Sequence, residues 1–199
     1  MAATAPIVVE HVACDEVTLA ALAKLRMEVF YDWPYLYDGS LEYEREYLAQ
    51  FIRQDQSVVI VARVGDQPVG MATASPLQSQ SDDVREPLLR AGLKEGETFY
   101  FGESVLLPAW RGHGIGHAFF DHREKAAREA GGRVFTFCAV ERPADHPLRP
   151  PYARELAPFW RNRGYAPLPG VTMDLAWKDR DTPGEVPHSM QFWARSLDV

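Results

Sequence analysis

Three glycines interrupt an otherwise apolar stretch, SVLLPAWRGHGIGHAFF, which spans residues 104 to 120. The residues before the glycines read as a β-strand, and those after them as a helix. Glycines at 112, 114 and 116 keep side chains out of this junction, where the unpaired N–H groups and the dipole of the helix favour an anion. The segment therefore predicts close approach of the backbone to a phosphate group. A turn that serves only the fold is the alternative.

The chain of 199 residues is 46% hydrophobic and carries a formal net charge of -7. This length predicts one globular domain covering residues 1–199. Because a protein that binds nucleic acid by neutralising phosphates needs a basic face, no nucleic-acid partner is expected, and an anionic ligand must be held by a local site. No run of about eighteen apolar residues occurs, and the first residues lack a signal-peptide pattern, so no membrane partner is expected.

The two cysteines, Cys14 and Cys138, have neither CxxC nor zinc-ligand spacing. They indicate no disulfide scaffold and no structural metal, and they favour a reducing, cytoplasmic setting. His113, His117 and His122 do not form an HExxH motif, because that motif would require a glutamate where Gly114 stands. No metal is therefore expected.

The spacing of apolar residues predicts a mixed sheet with helices on its faces. Strands are predicted at 7–11, 57–64, 69–77, 98–107, 133–140, 171–177 and 190–194, and helices at 16–30, 41–54, 117–132 and 153–165, with a shorter helical stretch at 84–91. Asp15 is the predicted N-cap of the first helix. The expected fold class is α/β, in the form of an α+β mixed sheet of about seven strands flanked by about four helices.

Arg111, Gly114 and Gly116 match the pyrophosphate-binding signature of the GNAT superfamily of N-acetyltransferases, Gln or Arg, x, x, Gly, x, Gly or Ala. The sequence VLLPAWRGHGIGHAFF resembles that family's strand, proline, aromatic residue, glycine loop and helix in unbroken order. FWRNRGY, near the C-terminus, is similar to the family's FYxxxGF element. The resemblance covers residues 7 to about 178 and implies a single-domain GNAT (acyl-CoA N-acyltransferase) fold.

The resemblance implies acetyl-CoA as co-substrate, with its pyrophosphate on the N–H groups of residues 112 to 116. It also implies that the fourth and fifth predicted strands splay apart, so that the pantetheine arm lies between them like an added strand. The cofactor-binding residues implied in this way are Val105, Leu106, Leu107, Arg111, Gly112, His113, Gly114, Ile115 and Gly116.

Two side chains are the candidates for catalysis. Glu103 lies beside Gly102 in a strand where a bulge would re-aim it, and a carboxylate there can act as general base toward an amine. The alternative is that Glu103 only pairs with an arginine or ends on a solvated edge. Trp160 occupies the position at which many family members place an acidic tyrosine, and an indole cannot supply that proton. Tyr152 is therefore the predicted general acid, with His146 or a water as substitutes.

In this family the first two helices and their connection usually select the acceptor. In this chain that connection contains four aromatic residues beside carboxylates such as Asp38 and Glu42, which suits a cationic amine. Core packing is the alternative role for each aromatic residue. The candidate acceptor-binding residues are Tyr31, Trp33, Tyr35 and Tyr37.

The predicted activity is transfer of an acetyl group from acetyl-CoA directly to an amine of a small molecule, peptide or protein. Two other functions stay open: a non-catalytic acyl-CoA sensor or interaction protein with the same fold, and a dinucleotide-binding protein. The last fits less well, because His117 stands where the third fingerprint glycine belongs. A homodimer through the last strands is an expectation from the family, although MQFWARSLDV would equally cap the sheet within one chain.

Overall fold

The computed structural model describes residues 5–197, which form eight strands and five α-helices around one sheet. The strands are β1 (Ile7–His11), β2 (Val58–Val64), β3 (Gln67–Pro76), β4 (Thr98–Tyr100), β5 (Ser104–Leu106), β6 (Val134–Val140), β7 (Ala166–Lys178) and β8 (Glu185–Ser196). The helices are α1 (Glu16–Phe30), α2 (Leu41–Phe51), α3 (Asp82–Arg90), α4 (Ile115–Glu129) and α5 (Ala157–Asn162).

The sheet runs in the order β1-β2-β3-β4-β6-β8-β7, and β5 pairs with β3 beside that path. All of these pairings are antiparallel except that of β4 with β6. A sheet with a single parallel pair is not the doubly wound parallel sheet of a dinucleotide-binding domain. The topology therefore argues against that alternative.

Both faces of the central strands are buried, which explains why β2 is apolar at successive positions. Val58 and Ile60 pack on the face that α4 covers, whereas Val59 and Val61 pack on the face that α1 and α2 cover. Because side chains alternate along a strand, a strand between two helical layers needs apolar residues in both registers. The Asp15 side chain caps α1 by accepting the N–H of Thr18 at 2.8 Å, as predicted.

A β-bulge separates β4 from β5. Tyr100 pairs with Ser75 and Ser104 pairs with Ala72, so that three residues, 101 to 103, oppose two on β3. Both the backbone and the side chain of Thr73 form hydrogen bonds to the bulge. Its carbonyl accepts the N–H of Gly102 at 3.1 Å, and its hydroxyl accepts the N–H of Glu103 at 3.1 Å.

Arg123 of α4 supports the same bulge from the other face of the sheet. Its guanidinium is buried, donates to the Glu103 carbonyl at 3.1 Å, and lies 4.5 Å from the centre of the Phe101 ring. Burial lowers the pKa of Arg123 to about 10. Since a buried guanidinium is costly unless its N–H groups are satisfied, these carbonyl bonds fix the bulge to α4.

The bulge ends the pairing between the fourth and fifth predicted strands. Phe101 donates its N–H to the Thr136 carbonyl at 2.8 Å, and beyond that point β5 pairs only with β3, while β6 pairs only with β8. The two strands thus diverge, as the sequence resemblance implied. We call the opening between β5 and the second half of β6 the strand gap.

The α/β fold with one mixed sheet is confirmed, and the differences have local causes. The bulge interrupts the predicted strand at 98–107, which gives eight strands instead of about seven. The stretch near 84–91 forms α3, which brings the number of α-helices in the described residues from the expected four to five. The helix predicted at 153–165 begins only at Ala157, with Pro158 in its first turn, where a missing N–H does no harm.

We expect Gly102→Ala to destabilise the protein by about 1–3 kcal/mol, because overpacking a tight site forces its neighbours to shift. A Cβ at this position would lie 2.7 Å from Thr73 Oγ1. Gly96→Ala is the matched control, since nothing lies within 4 Å of a Cβ there. Urea denaturation of both variants measures the difference. Equal stability of the two variants would contradict the packing described for the bulge.

Candidate active site

The glycine loop between β5 and α4 presents a row of free backbone donors. Gly112 and Gly114 both have φ near +81°, a left-handed conformation that side chains disfavour. Gly114 is the N-cap of α4, and no side chain caps this helix. Within residues 5–197, the N–H groups of residues 112 to 116 make no hydrogen bond to another residue. The loop therefore offers an anion the start of a helix dipole and several unpaired donors.

The side chains near this loop are basic and exposed. His113 packs against Trp110 with ring centres 5.9 Å apart, and its Nδ1 lies 3.1 Å from the Arg111 carbonyl. His117, one residue after Gly116, lies 3.3 Å from the guanidinium of Arg163. The Arg163 guanidinium is itself paired with Asp121 and Glu124, so Arg111 is the exposed arginine next to the loop.

The register of the flanking strands decides which peptide groups face the strand gap. Leu107 donates its N–H to the Val69 carbonyl at 3.0 Å, and Val105 pairs with Met71 in the same alternating pattern. The peptide groups of Ser104 and Leu106 consequently point away from β3 and into the gap. Of the three predicted residues Val105, Leu106 and Leu107, the backbone of Leu106 is thus placed to bind a ligand in the gap.

The same argument applies to the opposite edge. The N–H of Glu141 donates to the Ser189 carbonyl at 2.9 Å. Counting back along the chain from Glu141, the peptide groups of every second residue of β6 therefore point toward β8. The peptide groups of Cys138 and Val140 then face the gap. The gap is lined by unpaired strand edges on both sides, which is the arrangement that accepts an extended chain as an added strand.

Glu103 lies at the inner end of the gap in a buried cluster of charges. Arg26 of α1 pairs with Glu103 and also with Glu44 of α2, the latter at 2.5 Å. All three side chains are at most 8% exposed. Burial opposes the charge of Arg26, but its neighbours, Glu103 foremost, raise its pKa above the ordinary value. The arginine pairing that the sequence left as an alternative for Glu103 is therefore present.

Two carboxylates and one guanidinium leave this cluster with an excess of negative charge. The Oε1 atoms of Glu44 and Glu103 are both buried, and neither has a hydrogen-bond partner within residues 5–197. A buried carboxylate oxygen without a partner has a large desolvation cost. An ammonium group or a water that reached Glu103 would satisfy it.

Tyrosines surround the charged cluster. The charge of Glu103 and burial raise the pKa of Tyr47, while burial and the charges of Cys138 and Glu103 raise the pKa of Tyr35. Burial and the charge of Glu44 raise the pKa of Tyr37. All three hydroxyls therefore stay protonated near neutral pH and can donate hydrogen bonds.

The four predicted acceptor residues separate into two groups. Tyr35 and Tyr37 lie beside the charged cluster, as described above. Trp33 is half-buried against His146, with ring centres 5.4 Å apart, whereas Tyr31 is 48% exposed under the guanidinium of Arg180. Of the set, the fold thus brings Tyr35 next to Glu103 and Tyr37 next to Glu44.

The fold does not bring Tyr152 into this cluster. Tyr152 is 82% exposed and, within residues 5–197, makes no side-chain hydrogen bond. Trp160 packs 5.0 Å from the ring centre of Phe137 on the α4 face of the sheet, so it fills the core. His146 keeps its ring on Trp33, away from the charged cluster of Arg26, Glu44 and Glu103.

Sequence reasoning missed Arg26, Glu44 and Tyr47. A signal for them is present, because Arg26 interrupts the apolar stripe of α1, and Glu44 interrupts that of α2. Charged residues on core-facing positions are rare unless they are paired. Opposite charges on the apolar faces of two successive helices therefore indicate a buried ion pair between them.

Over residues 5–197, no three His, Cys, Asp or Glu side chains converge in a way that would hold a metal ion. No helix in the same range has the length and apolar character needed to cross a membrane. The Cys138 thiol is buried, 2.9 Å from the Tyr100 hydroxyl, and burial raises its pKa to about 11. It is a core thiol of β6.

A family model described as the Acetyltransferase (GNAT) family matches residues 20–157, which is more than half of the chain. The chain belongs to the GNAT acetyltransferase family. The match includes the glycine loop, β5, β6 and the charged cluster, and it ends at Ala157, the first residue of α5. Among curated protein sequences, none matches the chain.

Solved structures of other proteins have the same fold at low identity. A ribosomal-protein-alanine N-acetyltransferase from Brucella melitensis has 17% identity and a TM-score of 0.64, with 96% of this chain and 99% of that chain covered. An aminoglycoside 6'-N-acetyltransferase complexed with coenzyme A has 14% identity and a TM-score of 0.63, at 96% and 98% coverage. The protein yncA from Salmonella typhimurium, solved with its cofactor acetyl-CoA, has 14% identity and a TM-score of 0.60, at 96% and 94%. At these identities the likeness shows the GNAT fold.

We expect Arg26→Met to lower the free energy of unfolding by about 3–5 kcal/mol, because it leaves two buried carboxylates without their counter-charge. Arg90→Met is the control, since it breaks an exposed pair with Glu86 and should cost far less. Chemical denaturation of both variants provides the comparison. A loss for Arg26→Met no larger than that of the control would show that the buried cluster does not depend on its arginine.

Proposed function

We propose that this GNAT protein transfers an acetyl group from acetyl-CoA directly to a cationic amine, with Glu103 as the general base. The observation that supports this most is the position of Glu103. Its buried carboxylate, with one oxygen free of partners, lies at the inner end of the strand gap, and the glycine loop lies at the other end of β5.

Acetyl-CoA fits the gap and loop for separate chemical reasons. The free N–H groups of residues 112 to 116 would bind the pyrophosphate, with the Arg111 guanidinium and the His113 imidazole as neighbouring side-chain donors. The pantetheine arm contains amide groups, which can pair with the outward-facing peptide groups of Leu106 and Cys138 as a neighbouring strand would. From Glu103 to Leu107 an extended chain spans about 13 Å, so the thioester would lie near Glu103.

The proposed reaction needs no covalent enzyme intermediate. Glu103 accepts a proton from the ammonium, the neutral amine attacks the thioester carbonyl, and the C–N bond forms as the C–S bond breaks. A backbone N–H of β5 that faces the gap can donate to the developing oxyanion. The attacking nitrogen then loses its second proton and the departing thiolate takes one up, so that the products are the amide, free CoA and the one proton held by Glu103.

The departing thiolate needs a proton from a separate source. Tyr152 was the sequence-based candidate, and its exposure gives that role no structural support. Burial raises the pKa of Tyr35 above its ordinary value, which makes that hydroxyl a poor donor to a thiolate. A water molecule entering along the gap is therefore the source that we propose.

Charge supports a cationic acceptor. The cluster of Glu44, Glu103 and Arg26 has an excess negative charge, and the tyrosines Tyr35, Tyr37 and Tyr47 beside it offer aromatic faces and hydroxyls. An ammonium ion would be stabilised by the carboxylates and by the rings. The amine of a small molecule, of a lysine side chain or of a peptide N-terminus carries this group. A screen of such amines with acetyl-CoA would identify the acceptor.

We expect Glu103→Gln to reduce kcat by about 10²- to 10⁴-fold, the usual contribution of a general base. The affinity for acetyl-CoA should stay within about threefold of the wild type, because the glycine loop is unchanged. Glu44→Gln is the matched control: it removes a buried charge from the same cluster, but Glu44 belongs to α2 and not to the strands that border the gap. If Glu103→Gln retains the wild-type rate, another group is the base. If no amine is acetylated by the unaltered protein although acetyl-CoA binds, the sensor function takes its place.

We expect Gly114→Glu to abolish measurable binding of acetyl-CoA, since a carboxylate side chain would occupy the anion site with like charge. Gly170→Glu is the control, because Gly170 also has a positive φ and open space around it, so both variants carry the same backbone strain. Calorimetric titration with acetyl-CoA distinguishes them. Equal affinity in the two variants would show that the pyrophosphate does not bind at the loop.

A further inference from the structure

Arg142 follows β6 directly and is buried against the connection between α1 and α2. All three guanidinium nitrogens donate hydrogen bonds. Nε donates to the Pro34 carbonyl at 2.8 Å, and Nη2 donates to the Tyr35 carbonyl at 2.6 Å. Nη1 and Nη2 also form a bidentate pair with Asp179 at 2.8 and 2.9 Å. The side chains of Arg142 and Asp179 are 7% and 5% exposed.

Trp177 completes this arrangement from the end of β7. Its indole N–H lies 3.0 Å from the Tyr35 carbonyl and 2.9 Å from Asp179 Oδ1, so the Tyr35 carbonyl accepts from two buried donors. The ring of His188 stacks on the Trp177 ring with centres 3.8 Å apart. The indole is thereby fixed between β8 and the α1–α2 connection.

Backbone bonds hold the same segment. Asp38 donates its N–H to the Lys178 carbonyl at 2.8 Å, Arg180 donates to the Leu36 carbonyl at 2.7 Å, and Tyr37 forms an antiparallel bridge with Asp179. Residues 34–38, which we call the acceptor wall, thus lie as a short extra strand on the end of β7. Three parts of the chain that are distant in sequence meet at this wall.

The acceptor wall carries two of the three tyrosines that surround the charged cluster. Tyr35 packs on Phe30 with ring centres 4.7 Å apart, and Glu103 contributes to the raised pKa of its hydroxyl; Tyr37 is close to Glu44. Because both side chains project from residues 34–38, any shift of this backbone moves them relative to Glu103. Their position is set by contacts outside the wall itself.

We propose that Arg142 and Asp179 are positioning residues that set the affinity for the amine acceptor by fixing the backbone of Tyr35 and Tyr37. This inference rests on the proposed function. Neither residue touches the reacting atoms, and neither belongs to the glycine loop. Asp179 and Trp177 lie beyond residues 20–157, the part that the family model matches, so the C-terminal hairpin helps to select the acceptor.

The test compares Arg142→Lys with Arg195→Lys. A lysine at 142 can pair with Asp179 but cannot also donate to the Pro34 and Tyr35 carbonyls, because it lacks the planar fork of donors. We expect the KM for the amine to rise about tenfold, as for loss of a hydrogen bond to a charged group. The kcat at saturating amine and the affinity for acetyl-CoA should stay within about threefold. Arg195 pairs with buried Glu124 on the α4 face, and its replacement should leave the amine KM unchanged.

Amide hydrogen exchange of residues 35–38 in the free protein gives a readout that needs no activity. Exchange should be faster in Arg142→Lys than in wild type and unchanged in Arg195→Lys. Asp179→Asn should also make exchange faster and raise the amine KM. It replaces Arg142→Lys in the test if that variant does not fold.

Unaltered exchange in both wall variants would overturn this proposal alone. Faster exchange with an unchanged amine KM, or an equal rise in KM for Arg195→Lys, would also overturn it. Absence of acetyl transfer by the unaltered protein would overturn the proposed function, and this inference with it.

Discussion

Thr73 and Arg123 together hold the bulge at residues 101–103, and the position of the strand gap depends on these contacts. Thr73 bonds the bulge across the sheet with its backbone and its hydroxyl, and Arg123 bonds the Glu103 carbonyl from α4. The bulge places one extra residue between β4 and β5. Beyond it, β5 stays beside β3 while β6 stays beside β8. The gap is therefore built into the register of a rigid sheet, so a ligand would find its edges already separated.

The bulge also determines where Glu103 lies. The side chain enters the layer between the sheet and the first two helices, where Arg26 meets it. Arg26 is shared with Glu44, so a single guanidinium balances two carboxylates in a nearly water-free environment. Such an arrangement is unfavourable for stability unless every group is well placed. The position of this cluster at the end of the gap is consistent with binding of an ammonium ligand by the excess negative charge.

An acidic chain can bind an anion when the donors belong to the backbone. In the proposed function the glycine loop would use N–H groups and the dipole of α4 for this purpose, with few neighbouring basic side chains. In this proposal the anionic pyrophosphate of acetyl-CoA binds at the loop, and the cationic amine of the acceptor binds at the buried cluster. The acceptor wall, held by Arg142 and Asp179, forms another part of the proposed site for the cationic amine.

The sequence predicted those features that depend on neighbours in the chain. The glycine loop, the N-cap at Asp15 and the strand at 57–64 follow from local sequence pattern and from backbone conformation. The strand at 98–107 was predicted as one element, with a bulge beside Gly102 only as a way to re-aim Glu103, and the resemblance to the GNAT family implied the divergence of the strands. The sequence could not predict the partners of Arg26, or the clamp between Arg142 and Asp179, because these contacts join segments that only the folded sheet brings together. Tyr152 was chosen from a proline-rich segment whose path over the surface is set by tertiary packing.

Amide hydrogen exchange of the unaltered protein, measured residue by residue with and without acetyl-CoA, tests the central claim most directly. The account predicts that acetyl-CoA slows exchange at Leu106 and at residues 112–116, whose N–H groups are free, while Val105 and Leu107, already bonded to β3, change little. Unchanged exchange at Leu106 and in the glycine loop at saturating acetyl-CoA would contradict the account.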